Sequence, residues 1–330
     1  MKSTSLLALV APLALTGCLF ISETKTQAPE RKPDDVAAAA PAARPAPVAA
    51  LAPAAAPAPA RISAGMADNQ PAVDTTGLTI TRDVIYGHHD GMATVYDVIK
   101  PKNANGSAVL YMVSGGWVSR WAAPETRVAQ FKALLDQGIT VIPIHHGSAP
   151  RFKVPEAHAD VKRALRHISL NAKSYGIDPK RLGVFGGSAG GHLTLMLALN
   201  GDDGDPAATD PVLRGASRIK AAVAYYPPVD LRRMTGPSDR FPALDFPNEQ
   251  AAAISPILFV DAKDPPTLIV HGDADQLVNI SSGQSIYDAM KKAGVKTDMV
   301  IIKGGDHGFT NAAHREEAGK AMAAWFKANL

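Results

Sequence analysis

From about position 78 onward, the chain alternates short runs of β-branched and apolar residues with longer stretches in which apolar residues return every three or four positions. The short runs predict strands over 83–86, 92–99, 108–113, 139–144, 182–185, 219–225, 267–270 and 298–302. The longer stretches predict helices over about 124–136, 155–173, 189–199, 281–293 and 312–328. The first two strands flank His88-His89-Asp90-Gly91 and read as an antiparallel hairpin. In the second helix, Val161, Ala164, Leu165 and Ile168 keep the i, i+3, i+4, i+7 spacing of a single buried face. Such alternation is the pattern of an α/β fold, with a mostly parallel central sheet and helices on both faces. No internal repeat of about 20–50 residues interrupts it.

Ahead of this region the pattern breaks down. Over 27–60 the chain is dominated by Ala and Pro, and Pro29, Pro33, Pro41, Pro45, Pro47, Pro53, Pro57 and Pro59 recur too often for a helix to propagate. An extended tether is expected there, rising about 3 Å per residue where it is polyproline-like. Further upstream, Lys2 precedes an apolar run over 6–15, too short for a bilayer crossing of about 20 residues. The run ends in Leu15-Thr16-Gly17-Cys18, which resembles a bacterial lipobox. Cys18 is the only cysteine of the 330 residues, so no intrachain disulfide and no cysteine-based metal site can form. An ordinary cleaved secretory signal would carry the same apolar run, but the sole cysteine stands at the one place where lipid attachment needs it. Leu19, rather than an acidic residue, follows Cys18, which by resemblance to lipoprotein sorting rules implies the outer membrane. The expected organisation is a signal peptide over 1–17, a lipidated N-terminus and linker over 18–77, and one α/β domain over 78–330. The expected location is the bacterial cell envelope, with a lipid anchor in the membrane.

Charge narrows the partners. The formal net charge is +3, and Lys and Arg are scattered rather than aligned, so nucleic acid is not an expected partner.

The chemistry begins at Gly186-Gly187-Ser188-Ala189-Gly190-Gly191, between a predicted strand and a predicted helix. A serine on so sharp a turn needs small neighbours, and Gly186 and Gly190 meet that need. The helix N-terminus favours developing negative charge. Serine is a weak nucleophile unless a base takes its proton. Of the ten histidines, His307 stands out in the glycine-flanked loop Gly304-Gly305-Asp306-His307-Gly308-Phe309, after the last predicted strand. Loops at that edge of a parallel sheet are where such folds place their sites. His192 is expected to pack or hydrogen-bond beneath the serine turn. His88-His89 and His145-His146 are isolated pairs with no partner at ligand spacing, so neither a metal nor any other cofactor is expected. His271-Gly272-Asp273-Ala274-Asp275 offers two carboxylates to orient the base. The order Ser188, Asp275, His307 follows the usual order of α/β hydrolases, and Asp273 competes for the same role. Asp306, adjoining His307, is a poor orienter, because neighbours in an extended loop point in different directions. Ser114-Gly115-Gly116-Trp117, directly after a predicted strand, offers backbone N–H groups from Gly115 and Gly116 for a tetrahedral oxyanion, with the Ala189 N–H as the other donor. Trp117 is a candidate wall for a shallow acyl pocket, or else a core aromatic.

These segments, together with Ile177-Asp178-Pro179-Lys180-Arg181 and Pro265-Pro266-Thr267, resemble the α/β hydrolases of the hormone-sensitive-lipase and feruloyl-esterase-like group over about 78–330. Similarity extends to prolyl-oligopeptidase-type catalytic domains. The chain departs from that pattern twice. Val113-Ser114 replaces the usual start of the His-Gly-Gly-Gly loop, and Gly187 stands where lipase relatives often carry an acidic residue. The resemblance implies a serine esterase acting through an acyl-enzyme on Ser188, on a small-molecule or polysaccharide ester. The stretch 227–265 reads as the sole sizeable insertion, too polar and broken for an amphipathic lid, so short acyl groups are expected. A serine peptidase and a non-catalytic surface binding module are the alternatives.

Overall fold

The computed structural model describes residues 74–330. The signal, lipidation and linker expectations, Cys18 included, lie outside the described residues.

Eight strands form one sheet: β1 (Leu78–His89), β2 (Met92–Pro101), β3 (Ala108–Met112), β4 (Thr140–Ile144), β5 (Leu182–Gly187), β6 (Ala221–Tyr225), β7 (Thr267–Gly272) and β8 (Thr297–Ile302). Their order across the sheet is β1-β2-β4-β3-β5-β6-β7-β8. The hairpin β1–β2 and the β2–β4 pair are antiparallel; every later pair is parallel. Helices α1 (Val128–Leu135), α2 (Val154–Asn171), α3 (Ala189–Leu199) and α4 (Ile280–Ala293) lie in the crossovers between parallel strands, and α5 (Ala312–Asn329) follows β8.

The central strands are apolar without a break because both their faces are covered. Alternate residues serve opposite layers: Ala108, Leu110 and Met112 of β3 join the core shared with α2 and α3, while Val109 joins the core built by Phe131 of α1 and Phe326 of α5. Phe326 packs on the sheet at Gly183, where a Cβ would come within 2.6 Å of its ring. Burial of such a ring stabilises the fold by about 1.5–3 kcal/mol. Every residue of α3 is buried. That helix is therefore apolar apart from His192 and Thr194, whereas α2 buries the Val161, Ala164, Leu165 and Ile168 stripe together with Asp160 and leaves Glu156, Lys162, Arg163 and Arg166 at least partly exposed.

The predicted strands and helices all occur, with ends displaced by a few residues. The connections are less well anticipated. Not one but two long irregular segments occur, over 200–220 between α3 and β6 and over 226–266 between β6 and β7. The second is not simply polar: short 3₁₀ turns over Pro242–Leu244, Asn248–Gln250, Ala252–Ile254 and Pro256–Leu258 bury Leu231, Ala243, Leu244, Phe246, Ala251 and Ile254 in the main core. Spacing between these apolar residues follows neither period 2 nor period 3.6, so pattern alone does not expose them.

Candidate active site

Four loops at the C-terminal ends of parallel strands meet at one edge of the sheet, as expected for this topology. They follow β3, β5, β7 and β8.

Ser188 stands between β5 and α3 with φ 55° and ψ −121°. A non-glycine residue held there stores about 1–3 kcal/mol of backbone strain. The surroundings impose it: Ser188 N–H donates to the Tyr225 carbonyl at 3.0 Å, and His192 N–H to the Ser188 carbonyl at 2.9 Å. Backbone atoms crowd the flanking glycines. A Cβ on Gly186 would lie 2.6 Å from the Gly190 oxygen, and one on Gly190 would lie 2.9 Å from the Met112 oxygen.

Ser188 Oγ lies 2.9 Å from His307 Nε2, and His307 Nδ1 lies 2.8 Å from Asp275 Oδ2. The carboxylate only accepts, so Nδ1 carries the proton and Nε2 is left to accept from the serine hydroxyl. Asp275 is buried, and its other oxygen accepts the N–H groups of Leu277 and Val278 at 2.8 and 2.9 Å. His271 Nε2–H donates to the Val278 carbonyl at 2.8 Å, bracing the same loop from below. The competing Asp273 instead accepts the Gly304 N–H at 2.6 Å, a contact that closes the His307 loop at its base. Asp306 turns away and accepts the N–H of Thr310.

The oxyanion side differs from expectation. Gly115 N–H donates to Val118 O at 3.1 Å, and Val118 N–H returns a bond to Gly115 O at 3.0 Å. Gly115 is thus spent within its own turn and cannot donate to a substrate. Gly116, at φ 59°, and Ala189, first residue of α3, keep N–H groups that no protein acceptor occupies among the described residues.

Trp117 does not line an acyl pocket. Its indole is 3% exposed and lies in the main core, with Nε1–H donating to His192 Nδ1 at 3.3 Å. The other nitrogen of His192 donates to Ile254 O at 2.7 Å. Burial pushes His192 down to about 4, so it stays neutral and acts as a strut from the serine helix to the Trp117 loop and the 226–266 segment. His146 braces the same loop. Its Nδ1–H donates to Gly147 O at 2.7 Å, so Nε2 accepts from the Ser114 hydroxyl at 2.9 Å. Burial also pushes His146 down to about 4. The neighbouring His145 faces Asp97 instead, and His89 pairs with Asp160 on α2.

Two side chains at the site escaped the sequence reading. Phe241 of the 226–266 segment lies against Gly116, 3.3 Å from where a Cβ would stand. Tyr226 faces His307 with ring centroids 4.7 Å apart. The only sequence signal for Tyr226 is an aromatic residue directly beyond the apolar run of β6, and Phe241 carries none. A surface cleft of about 440 Å³ is lined by Arg166, Leu170, Lys180, Val212 and Arg218 and contains no member of the Ser188 group.

The BD-FAE family model matches residues 96–290, more than half of the chain. The chain belongs to the BD-FAE family. The matched stretch holds the Gly115-Gly116 turn, Ser188 and Asp275; His307 lies beyond it. Esterase LipQ of Mycobacterium tuberculosis is 29% identical over 249 residues, which cover 71% of this chain and 58% of LipQ. The chain therefore spans less than two thirds of that relative. Among solved structures, a truncated carbohydrate esterase from gut microbiota superposes with a TM-score of 0.66 at 28% identity, covering 78% of this chain and 98% of the other. Thermogutta terrifontis esterase 2, solved with propionate bound, gives a TM-score of 0.62 at 25% identity, covering 77% and 95%. For this BD-FAE member the fold is that of α/β-hydrolase esterases.

Proposed function

We propose that the protein hydrolyses carboxylic esters of short acyl groups, carbohydrate esters among them, through an acyl-enzyme on Ser188. One observation carries this: the unbroken relay from Ser188 Oγ through His307 to the buried Asp275, at 2.9 and 2.8 Å, beside two unengaged backbone N–H groups. His307 Nε2 takes the hydroxyl proton as Ser188 Oγ bonds to the ester carbonyl carbon, and the charge forming on oxygen meets the N–H groups of Gly116 and Ala189. Collapse breaks the bond to the alcohol oxygen, which receives the proton from His307. Water then repeats the sequence, giving its proton to His307 and its oxygen to the acyl carbon, and Ser188 leaves with the proton restored. Asp275 holds the tautomer throughout.

The short-acyl preference rests on Phe241, which occupies space beside Gly116, and on a 226–266 segment whose Leu231, Ala243, Leu244, Phe246, Ala251 and Ile254 are buried in the core. The carbohydrate esterase and the propionate-bound esterase among its structural relatives support the same reading. A series of p-nitrophenyl esters tests it. Acetyl to butyryl esters are expected to give higher kcat/KM than chains of about ten carbons, although each CH₂ buried in a true lipase pocket would add about 0.8 kcal/mol. A steady rise of kcat/KM with chain length would overturn the preference. Cleavage of a peptide p-nitroanilide with no cleavage of any ester would overturn the reading in favour of a peptidase.

For the segment outside the described residues, we propose lipid attachment at Cys18 and an outer-membrane location, supported by the sole cysteine at the lipobox position. Cys18→Ser is expected to move the protein to the soluble fraction with its esterase rate unchanged; a soluble wild-type protein would refute it.

A further inference from the structure

Gly187, directly before the nucleophile, is glycine for a reason unlike that of its neighbours. Its φ is not in the left-handed region, and the atoms a Cβ would meet are not backbone. They are the hydroxyl of Tyr226 at 2.7 Å and two of its ring carbons at 3.0 Å. The tyrosine fills the volume that a side chain at 187 would claim.

Tyr226 is itself held in an uncommon conformation, with φ 34° and its N–H bound to the Val270 carbonyl at 2.8 Å. Left-handed non-glycine residues cluster where function requires a fixed geometry. The conformation carries the ring to the face of His307, inclined by 57°. Phe309 supports the tyrosine edge-on at 5.0 Å. His307 needs such a wall, because its loop lies between Gly304 at φ 70° and Gly308 at φ 90° and has few side chains of its own to pack. Its two hydrogen bonds, at opposite ends of the imidazole, leave the ring free to tilt about the line joining them. The tyrosine ring packed against the imidazole at that inclination blocks the tilt.

We propose that Tyr226 is a positioning residue for His307, and that position 187 is glycine in order to admit it. The proposal rests on the esterase reading of Ser188. Four variants test it on p-nitrophenyl acetate: Tyr226→Phe, Tyr226→Ala, Gly187→Ala and the Gly187→Ala/Tyr226→Ala pair. Tyr226→Phe keeps the wall, so its kcat should stay within about threefold of wild type, whereas Tyr226→Ala should lose about 10- to 100-fold in kcat with KM little changed, as for an ångström-scale misplacement. Gly187→Ala should lose a similar factor, since the stiff ring must swing off His307 to clear the new methyl group. In the Tyr226→Ala background the same change should then add nothing, a non-additivity expected only of groups in contact. The downfield NMR proton of the His307–Asp275 bond supplies a readout in resting protein. It should persist in Tyr226→Phe and broaden in Tyr226→Ala and Gly187→Ala.

Full activity and an unchanged proton signal in Tyr226→Ala would overturn the proposal, as would multiplicative losses in the pair. If Tyr226→Ala does not fold, Gly187→Ala decides by the same two measurements. A wild-type protein inactive on every ester would sink the esterase reading alone, because the proton signal still reports on the imidazole.

Discussion

The two sides of the candidate site are built on different plans. The proton relay consists of three side chains that leave the ends of β5, β7 and β8: Ser188 and Asp275 are fixed by backbone, at Tyr225 and His192 and at Leu277 and Val278, while the base of the His307 loop is closed by the Asp273 carboxylate. The oxyanion side is a single turn after β3 whose donors are backbone and whose supports are side chains: His146 on Ser114, His192 on Trp117, Phe241 on Gly116. One side presents side-chain chemistry, held at Ser188 and Asp275 by main chain; the other presents main chain held by side chains. Damage to the first should therefore remove turnover and spare the fold. Damage to the second should lower both.

The largest effect is expected from Ser188→Ala and His307→Ala. In serine hydrolases the nucleophile and base act as a unit, and loss of either costs about 10⁶ in kcat. Neither side chain is a core contact, so thermal unfolding of both variants should match the wild type. A variant that kept near-normal turnover would remove Ser188 or His307 from the relay.

Next comes the carboxylate. Asp275→Asn leaves the shape of the loop but presents an amide to His307 Nδ1, which favours the wrong tautomer; about 10⁴ in kcat is the expected loss. Asp273→Asn touches only the Gly304 N–H and should change kcat by less than about tenfold. The reverse ranking would mean that the geometry around Nδ1 does not govern the base.

The same contrast explains what could be read from sequence. Each relay member lies within a few residues of an apolar run, and its chemistry belongs to the side chain, so residue type and position already announce it. The sheet was legible for a related reason: runs such as 139–144 are apolar throughout because helices cover both faces. Sequence left Asp275 and Asp273 as rivals, since both follow β7 at similar distance and only the path of the β8 loop decides which one meets Nδ1. It misassigned Gly115, because every non-proline residue has an N–H and the sequence does not say which N–H is already engaged. The bond from Gly115 to Val118 is a property of the folded turn. Trp117 was open between pocket and core for the same reason, and Phe241 arrives from an irregular segment with no periodicity to betray it.

Gly116→Ala probes the second side directly. The residue has φ 59°, and a Cβ would stand 3.3 Å from the Phe241 ring, so the turn must shift and carry its N–H off the oxyanion. A lost oxyanion donor costs about 10²–10³ in kcat. Unlike the relay variants, this one should also lower the unfolding midpoint, since alanine at positive φ destabilises by more than about 1 kcal/mol. Loss of activity at unchanged stability would erase the distinction between the two sides.

The smallest effect is the share of the pH dependence of stability carried by His192 on the oxyanion side. His192 is fully buried, its Nε2–H donates to Ile254, and its Nδ1 accepts from an indole that can only donate. Protonation would set N–H against N–H inside the core. Its folded-state value of about 4 lies below the 6.5 of an ordinary histidine, with burial as the main cause. Between those two values the unfolded chain binds a proton that the folded chain refuses, so stability falls as pH drops through that window and is unaffected by this residue above it. The expected slope is about 1.4 kcal/mol per pH unit from this one group. His192→Gln keeps one donor and one acceptor without a titrating nitrogen. Urea unfolding at pH 7 and pH 5 should therefore show a smaller drop for His192→Gln than for the wild type, the difference reaching about 2 kcal/mol over the part of the window sampled. His146, His158 and His271, whose values burial also lowers, are present in both proteins, so the difference between the two slopes reads His192 together with its small electrostatic effect on His158. Identical pH slopes would mean that His192 accommodates a proton in the core, and that the contact with Trp117 is no strut of the oxyanion turn.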